Sequence, residues 1–382
     1  MNHKIGLLLP QSVIYPSINF DLVNGFRNAL ESLGIADVEL RTESIGTGAT
    51  DKLIYGACEK MLMDGVRIIV GYVNPTTALK LVPLFENGNG IFLSLDAGYH
   101  YLPEIKKLNN IFFLSLQGAL GSRMVTTTAI TDGYNKLAYT GSYYEAGYRS
   151  VYAFYKAAED KQAVVTFSHV APLKRKEFTL APLQDYIHNN GNDAVFASYC
   201  GDMLQDFCIA ASSQNIFSGR ALYGSSFMAE EQWLEQCPYP GTDIKVCVPW
   251  ARSLSNAANE QFKEQMLAKK SKVNIFSLLG WEAGIVAAAI FGDYTDAALT
   301  RLEGFTFNSP RGIVQLDAQT HQCHAPMYNA VILKEDLSDR CKLVISGEAS
   351  HTNEQRKLQE NDIWQAAGAY TSWLNAYGCL ES

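Results

Sequence analysis

IIVGYVNPTTALKLVPLFENGNGIFLSLDAG, residues Ile68 to Gly98, is the stretch that decides how the chain is read. An apolar strand runs to Gly71, and Asn74, Pro75, Thr76 and Thr77 then lead into a helix. A second apolar strand, GIFLSL, runs into Leu95, Asp96, Ala97 and Gly98. Strands that are apolar along their whole length and separated by helices belong to a parallel sheet covered on both faces. Such sheets present small ligands to the loops beyond their C-terminal strand ends, where helix N-termini offer backbone N–H groups. Both loops carry hydroxyl, amide or carboxylate groups at that place.

The alternation continues in both directions. Upstream lie the strand HKIGLLLP, the helix FDLVNGFRNALESLG with Phe20, Val23, Phe26 and Leu30 at helical spacing, the strand VELRTES and the helix DKLIYGACEKMLMDG. Downstream, after the strand in NNIFFLSLQG, the rhythm starts again with KLAYTG and runs to DIKVCVPW. Two α/β blocks therefore lie in series, residues 1–120 and 121–249, without an obvious internal repeat. After Trp250 come two helices, several short strands and a final helix over about 352–376. Such a tail is expected to return and complete both blocks, giving lobes of 1–120 plus 250–327 and 121–249 plus 328–382.

A length of 382 residues favours two domains. The net charge of -8 and pI near 5.4 argue against a nucleic-acid partner, which would require a basic face. The longest apolar run, Gly284 to Gly292, is too short to span a bilayer. The opening MNHKIGLLLP reads as a strand and not as a leader, so the chain is expected to be cytosolic, or a mature form whose leader is absent. Of the eight cysteines, Cys237 and Cys247 flank the turn CPYPGTDIKVC and are the expected disulfide pair. HQCH places His321, Cys323 and His324 together, but no second ligand cluster supports a metal site. Phosphate-loop, dinucleotide, nucleophile-elbow and metalloprotease motifs are missing. No catalytic residue, metal or cofactor is assigned, and a binding protein is expected in place of an enzyme.

The candidate ligand-binding residues are those that follow the strands. In the first block they are Tyr15, Asn74, Thr76, Thr77, Leu95, Asp96, Ala97 and Gly98. In the second they are Tyr144, Tyr199, Ser225 and Phe227. Asn74 or Thr76 can cap the helix that begins there while its N–H groups meet an anion. Tyr15, Tyr144, Tyr199 and Phe227 can wall an apolar or cationic portion of a ligand. Each residue also has a purely structural reading: an N-cap for Thr76 or Thr77, a turn former for Asp96, rim packing for a tyrosine.

These segments, with GSYYEAGYRSVYAFYKA, GWEAGIVAAAI and FNSPRGIVQLDAQTHQCHAPMYNAVIL, give the chain its resemblance to a known family over about residues 3–335. It resembles the type I periplasmic solute-binding proteins of branched-chain amino acid, amide and urea ABC importers. The resemblance implies two Rossmann-like lobes with parallel sheets, joined by three crossovers and closing on a ligand by a hinge motion. It implies a small-molecule ligand such as an amino acid, amide or carboxylate, an ABC importer permease as partner and an extracytoplasmic location. A cytosolic amide-sensing regulator of the same fold is the alternative. The residues carried over are Asn74 to Thr77 and Leu95 to Gly98 for a carboxylate or amide, with Tyr144 and Tyr199 in the second lobe. The acid that grips the ammonium in amino acid binders would fall near Ser225 to Phe227, where no acid stands; Asp96, Asp202 or Glu282 is expected to supply that charge. The family's disulfide from the Cys58 position has no partner cysteine near Asn74, so Cys58 is expected to be free or paired elsewhere.

Overall fold

The structure, a computed structural model, describes residues 3–47, 50–99, 107–146, 149–172, 174–191, 193–293 and 296–366. These fall into two compact units. Unit 1 comprises the described residues up to Leu116 and those of Leu254–Pro326, and unit 2 those of Gln117–Ser253 and from Met327 onward.

Unit 1 opens with β1 (His3–Pro10), α1 (Ile18–Ser32), β2 (Val38–Gly46), α2 (Asp51–Met63), β3 (Ile68–Tyr72), α3 (Pro75–Asn87), β4 (Ile91–Asp96) and β5 (Ile111–Ser115). The five strands are all parallel, in the order β2-β1-β3-β4-β5. Every residue of β3 and β4 is buried, which is why their sequences are apolar without alternation. Unit 2 follows with α4 (Gly118–Thr131), β6 (Lys136–Gly141), α5 (Tyr143–Ala146), α6 (Arg149–Asp160), β7 (Val164–Val170), α7 (Ala181–Asn189), β8 (Ala194–Ser198), α8 (Gly201–Gln214), β9 (Leu222–Gly224), α9 (Glu231–Leu234) and β10 (Ile244–Val248).

The chain then returns to unit 1 as α10 (Ala257–Ala268), α11 (Ile275–Ala289), α12 (Asp296–Leu302) and the small antiparallel sheet β11 (Thr306–Ser309), β12 (Gly312–Leu316) and β13 (Cys323–His324). It ends in unit 2 with β14 (Tyr328–Lys334), β15 (Cys341–Glu348) and α13 (Thr352–Ala366). The expected final helix begins where α13 does, and its stretch beyond Ala366 lies outside the described residues. In unit 2 the sheet order is β15-β14-β10-β9-β8-β6-β7, with β14 and β15 antiparallel additions to five parallel strands.

In both units the first five strands thus follow one plan: the second strand outermost, then the first, third, fourth and fifth. The order reverses between β1 and β3 in unit 1, and between β6 and β8 in unit 2. A reversal of this kind leaves a crevice at the C-terminal strand ends, because the helices leaving the two neighbouring strands go to opposite faces.

On one face of unit 1, α1 packs on α11 with backbones nearly touching. A Cβ placed on Gly25 would lie 2.0 Å from the Ser277 carbonyl oxygen, and one on Gly280 would lie 2.2 Å from that of Leu22. The helix-breaking cost of these glycines is offset by a contact no larger residue permits. Asn274 starts α11 as a capping box, its side chain accepting the Ser277 N–H while the Ser277 hydroxyl receives the Asn274 N–H.

The expected bond between Cys237 and Cys247 does not occur: both are buried free thiols, and Cys247 on β10 lies against the Met124 sulfur. Adjacency to a common turn does not bring the two side chains together. Cys58 is a buried free thiol as well. His321 of the HQCH segment is a core residue. It stacks on Phe112 with ring centroids 4.0 Å apart and its Nδ1 lies 3.0 Å from the Leu108 and Ile111 carbonyl oxygens. Among the described residues no group of three or more His, Cys, Asp or Glu is arranged to hold a metal ion. No helix among them is long and apolar enough to cross a membrane.

Candidate functional site

In unit 1 the crevice of the reversed order is bordered by the loops after β1 and β3. The Tyr15 N–H donates to the Ser12 hydroxyl at 3.0 Å, which folds the β1 loop back on itself. The Tyr15 ring meets Phe276 edge to face at 5.0 Å. After β3, the Asn74 side chain accepts the Thr77 N–H at 2.9 Å and the Thr76 hydroxyl at 2.5 Å. With Pro75 at the first helical position, Asn74 is the N-cap of a thirteen-residue helix. The Thr77 hydroxyl turns away and donates to Asp51 of α2 at 2.7 Å.

The loop after β4 is built around its own carboxylate. Gly98 has φ of 77°, a conformation that favours glycine, and its N–H donates to Asp96. The Ser115 hydroxyl donates to the same Asp96 oxygen at 2.7 Å. Burial pushes the Asp96 pKa up to about 6, with Ser115, Gly98 and Arg311 acting the other way. Leu95 and Ala97 are buried, and the Leu95 carbonyl accepts the Val73 N–H at 3.1 Å.

In unit 2 the corresponding loops follow β6 and β8. The backbone of Tyr144 lies in α5, and its side chain lies outside the described residues. Tyr199, just past β8, is fully buried and stacks on Phe207 at 4.7 Å. Its hydroxyl is 2.6 Å from the Thr140 hydroxyl, which is 3.1 Å from His169 Nδ1. Burial raises the Tyr199 pKa against the Thr140 hydrogen bond, and burial lowers that of His169. Both groups are therefore neutral at pH 7, and the chain of hydroxyl, hydroxyl and imidazole can donate or accept at either end. Beside it, Glu145 on α5 accepts the Ser198 hydroxyl at 3.1 Å, and its own N–H donates to Ser142 at 3.1 Å. Beyond β9, Ser225 is fully buried, with no hydrogen-bond partner for its hydroxyl among the described residues. Phe227 is buried in the tight turn Ser226–Ala229.

The three acids expected to supply a negative charge stand in different surroundings. Asp96 accepts hydrogen bonds from Ser115 and Gly98; Asp202 lies 3.4 Å from Arg175; Glu282 is wholly buried in an ion pair with Arg311. Sequence reasoning does not single out Glu145, Thr140 or His169. For Glu145 a signal exists, since GSYYEAG places an acid immediately after a strand end. Thr140 and His169 end strands that read as ordinary sheet.

The comparisons agree with this architecture. A family model described as "Periplasmic binding protein" matches residues 2–336. A solute-binding protein of an ABC transporter from Rhodopseudomonas palustris BisB5, solved in complex with 3,4-dihydroxybenzoic acid, superposes with a TM-score of 0.75 at 16% identity over 91% of this chain and 97% of that one. An ABC transporter substrate-binding protein from Sphaerobacter thermophilus gives 0.78 at 15% identity, covering 91% and 98%. The leucine-, isoleucine-, valine-, threonine- and alanine-binding protein from Brucella ovis gives 0.71 at 16% identity, covering 91% and 95%. No curated protein matches the chain. The chain belongs to the periplasmic binding protein family, the solute receptors of ABC importers.

Proposed function

We propose that this protein works outside the cytoplasm by binding and not by catalysis, capturing a small carboxylate, amide or amino acid by hinge closure and passing it to an ABC importer permease. The observation that carries the reading is the coincidence of topology and chemistry. In each unit the loops at the reversal of strand order are the ones that carry the hydroxyl, amide and aromatic groups. In unit 1, the N-terminal turn of α3 with Asn74 and Thr76, and the backbone of Leu95 to Gly98, supply donors to a carboxylate or amide end. In unit 2, Tyr144, Tyr199, Ser225 and Phe227 take the remainder, with Thr140 and His169 fixing the Tyr199 hydroxyl and Glu145 supplying an acid for a ligand that carries an ammonium. Similar structures include solute-binding proteins in complex with benzoates and a leucine-, isoleucine-, valine-, threonine- and alanine-binding protein, which fits either version of that remainder.

The test is a thermal-shift screen of refolded protein, stripped of any carried-over ligand, against amino acids, amides, urea, aliphatic acids and benzoates. A ligand that binds only the folded state raises the melting temperature by mass action, by an amount that grows with its concentration over Kd. One responding class is expected, and Tyr199→Ala is expected to weaken its binding more than tenfold through loss of an aromatic wall. Stripped, correctly folded protein that responds to none of these classes would refute the reading.

A further inference from the structure

Tyr199 stands at a strand end where a ligand is expected, yet it is 0% exposed and two other rings lie against it. Phe207 of α8 stacks on it at 4.7 Å with the planes 23° apart, and Phe178 meets it edge to face at 6.0 Å and 66°. The two rings are held very differently. Phe207 is fully buried on a fourteen-residue helix, whereas Phe178 is half-buried in the segment between β7 and α7. That segment is anchored at its ends: the Ala171 N–H donates to the Gly141 carbonyl at 2.8 Å, and Ala171 and Leu180 are both buried. Between the anchors, Lys174 to Glu177 are exposed, and a tight turn at Arg175–Glu177 is closed by the Phe178 N–H donating to the Arg175 carbonyl at 3.0 Å. Arg175 fastens the turn to α8. Its Nε and Nη2 donate to the two Asp206 carboxylate oxygens at 2.6 and 2.9 Å, and Asp202 lies 3.4 Å from Nη1. The arginine side chain is half exposed, so solvent screens this pair and it holds the turn only weakly.

We propose that Lys174 to Thr179 form a strap over the ligand place of unit 2, with Phe178 standing where the apolar part of a ligand meets the Tyr199 ring. This rests on the reading of Tyr199 as a ligand wall. A ligand then has to lift the strap, which breaks the Phe178 edge contact and loosens Arg175 from Asp206. The strap is thus a competitor built into the chain, and the affinity observed is the intrinsic one reduced by the fraction of molecules whose strap is lifted. It also selects. An aromatic or large aliphatic group replaces on Tyr199 the contact that Phe178 gives up, whereas urea and small amides have nothing to set there. The site therefore takes a carboxylate or amino acid with a bulky apolar group.

Trypsin reads the strap directly, because Lys174, Arg175 and Lys176 are consecutive exposed cleavage sites. When the strap opens and closes faster than it is cut, the cutting rate follows the population of the lifted form. The stripped full chain is digested briefly, and the cut at 174–176 is timed by mass spectrometry against cuts elsewhere in the chain. Without ligand, Phe178→Ala should be cut there about two- to tenfold faster than the parent, the range for losing one aromatic edge contact. Asp206→Ala should be cut up to about fivefold faster, the range for a screened ion pair; circular dichroism checks that both variants fold. With the ligand that the parent binds, Phe178→Ala should bind about two- to tenfold more tightly, opposite in sign to Tyr199→Ala. Saturating ligand should speed the strap cut in the parent. Strap cutting equal in the parent and both variants, weaker binding by Phe178→Ala, a ligand that protects the strap, or a response to urea and small amides alone would overturn the proposal. Any of these in a chain that binds solute sinks this inference and leaves the solute reading standing. A strap that opens as expected in a parent and a Phe178→Ala variant that bind none of the ligand classes sinks the solute reading on which it rests.

Discussion

Removing Glu282 tests what organises the strand ends of unit 1. Glu282 on α11 and Arg311 in the β11–β12 turn are both 0% exposed and meet through two contacts, Nε to Oε1 at 2.6 Å and Nη2 to Oε2 at 2.8 Å. Ser309 donates its hydroxyl to Glu282, and Arg311 Nη1 donates to the Ser115 carbonyl at 2.8 Å. Burial disfavours the Arg311 charge, but Glu282 and Cys323 outweigh it and hold its pKa above the ordinary value. Glu282→Ala leaves a cation buried without its anion, a loss of about 3–5 kcal/mol for an orphaned partner. Glu282→Leu with Arg311→Met removes both charges and leaves neither buried without its counterpart. It should therefore be at least about 2 kcal/mol more stable than the single variant. Trp281 is the one tryptophan in the sequence of unit 1 and packs edge to face on Phe262 at 5.3 Å, so its fluorescence in a urea titration reports on this unit. A single variant that loses under about 1 kcal/mol, or a double variant no better than the single, would refute the argument that mutual charge compensation holds this corner together.

Other perturbations separate further causes. Gly280→Ala puts a Cβ against the Leu22 backbone, and Gly56→Ala on α2 meets nothing within 4 Å. The first should lose about 1–3 kcal/mol by overpacking and the second gain about 0.5–1 kcal/mol from helix propensity; equal effects would show that α1 and α11 can separate at little cost. Asp96 has a folded pKa of about 6 against 3.8 for the free group. The folded state then holds more protons between pH 4 and 6, so this residue contributes stability that is greatest below pH 4 and declines as pH rises to 6. Asp96→Asn removes that slope, by about 3 kcal/mol across the window at 1.36 kcal/mol per pKa unit, and parallel stability curves for variant and parent would contradict the assignment.

The features legible in the sequence are those that a short window of residues decides. β3 and β4 show as unbroken apolar runs because both of their faces are covered, and the N-cap at Asn74 shows because Pro75 follows it. The helix AEEQWLEQC shrinks to the four residues of α9, since Glu230 caps it with both carboxylate oxygens and so fixes its start late. The helix expected over EAGYRSVYAFYKAAED is described as α5 and α6, on either side of residues 147–148, which lie outside the described ones. Charge availability is a different kind of property. Asp96, Asp202 and Glu282 look equivalent in sequence, yet each meets a partner 19, 27 or 29 residues away, a hydroxyl for Asp96 and an arginine for the other two. A local reading finds where a carboxylate sits along a strand or helix but not which group it meets, because that group is brought up by tertiary packing. Glu145 makes the same point in reverse. Its neighbours in GSYYEAG mark a strand end, but only the return of β8 beside β6 brings Ser198 to its carboxylate and places that acid among the groups that define the unit 2 crevice. The position of a strand-end loop in this fold is therefore a property of the local sequence, and the partners that its charged groups meet are a property of strand order.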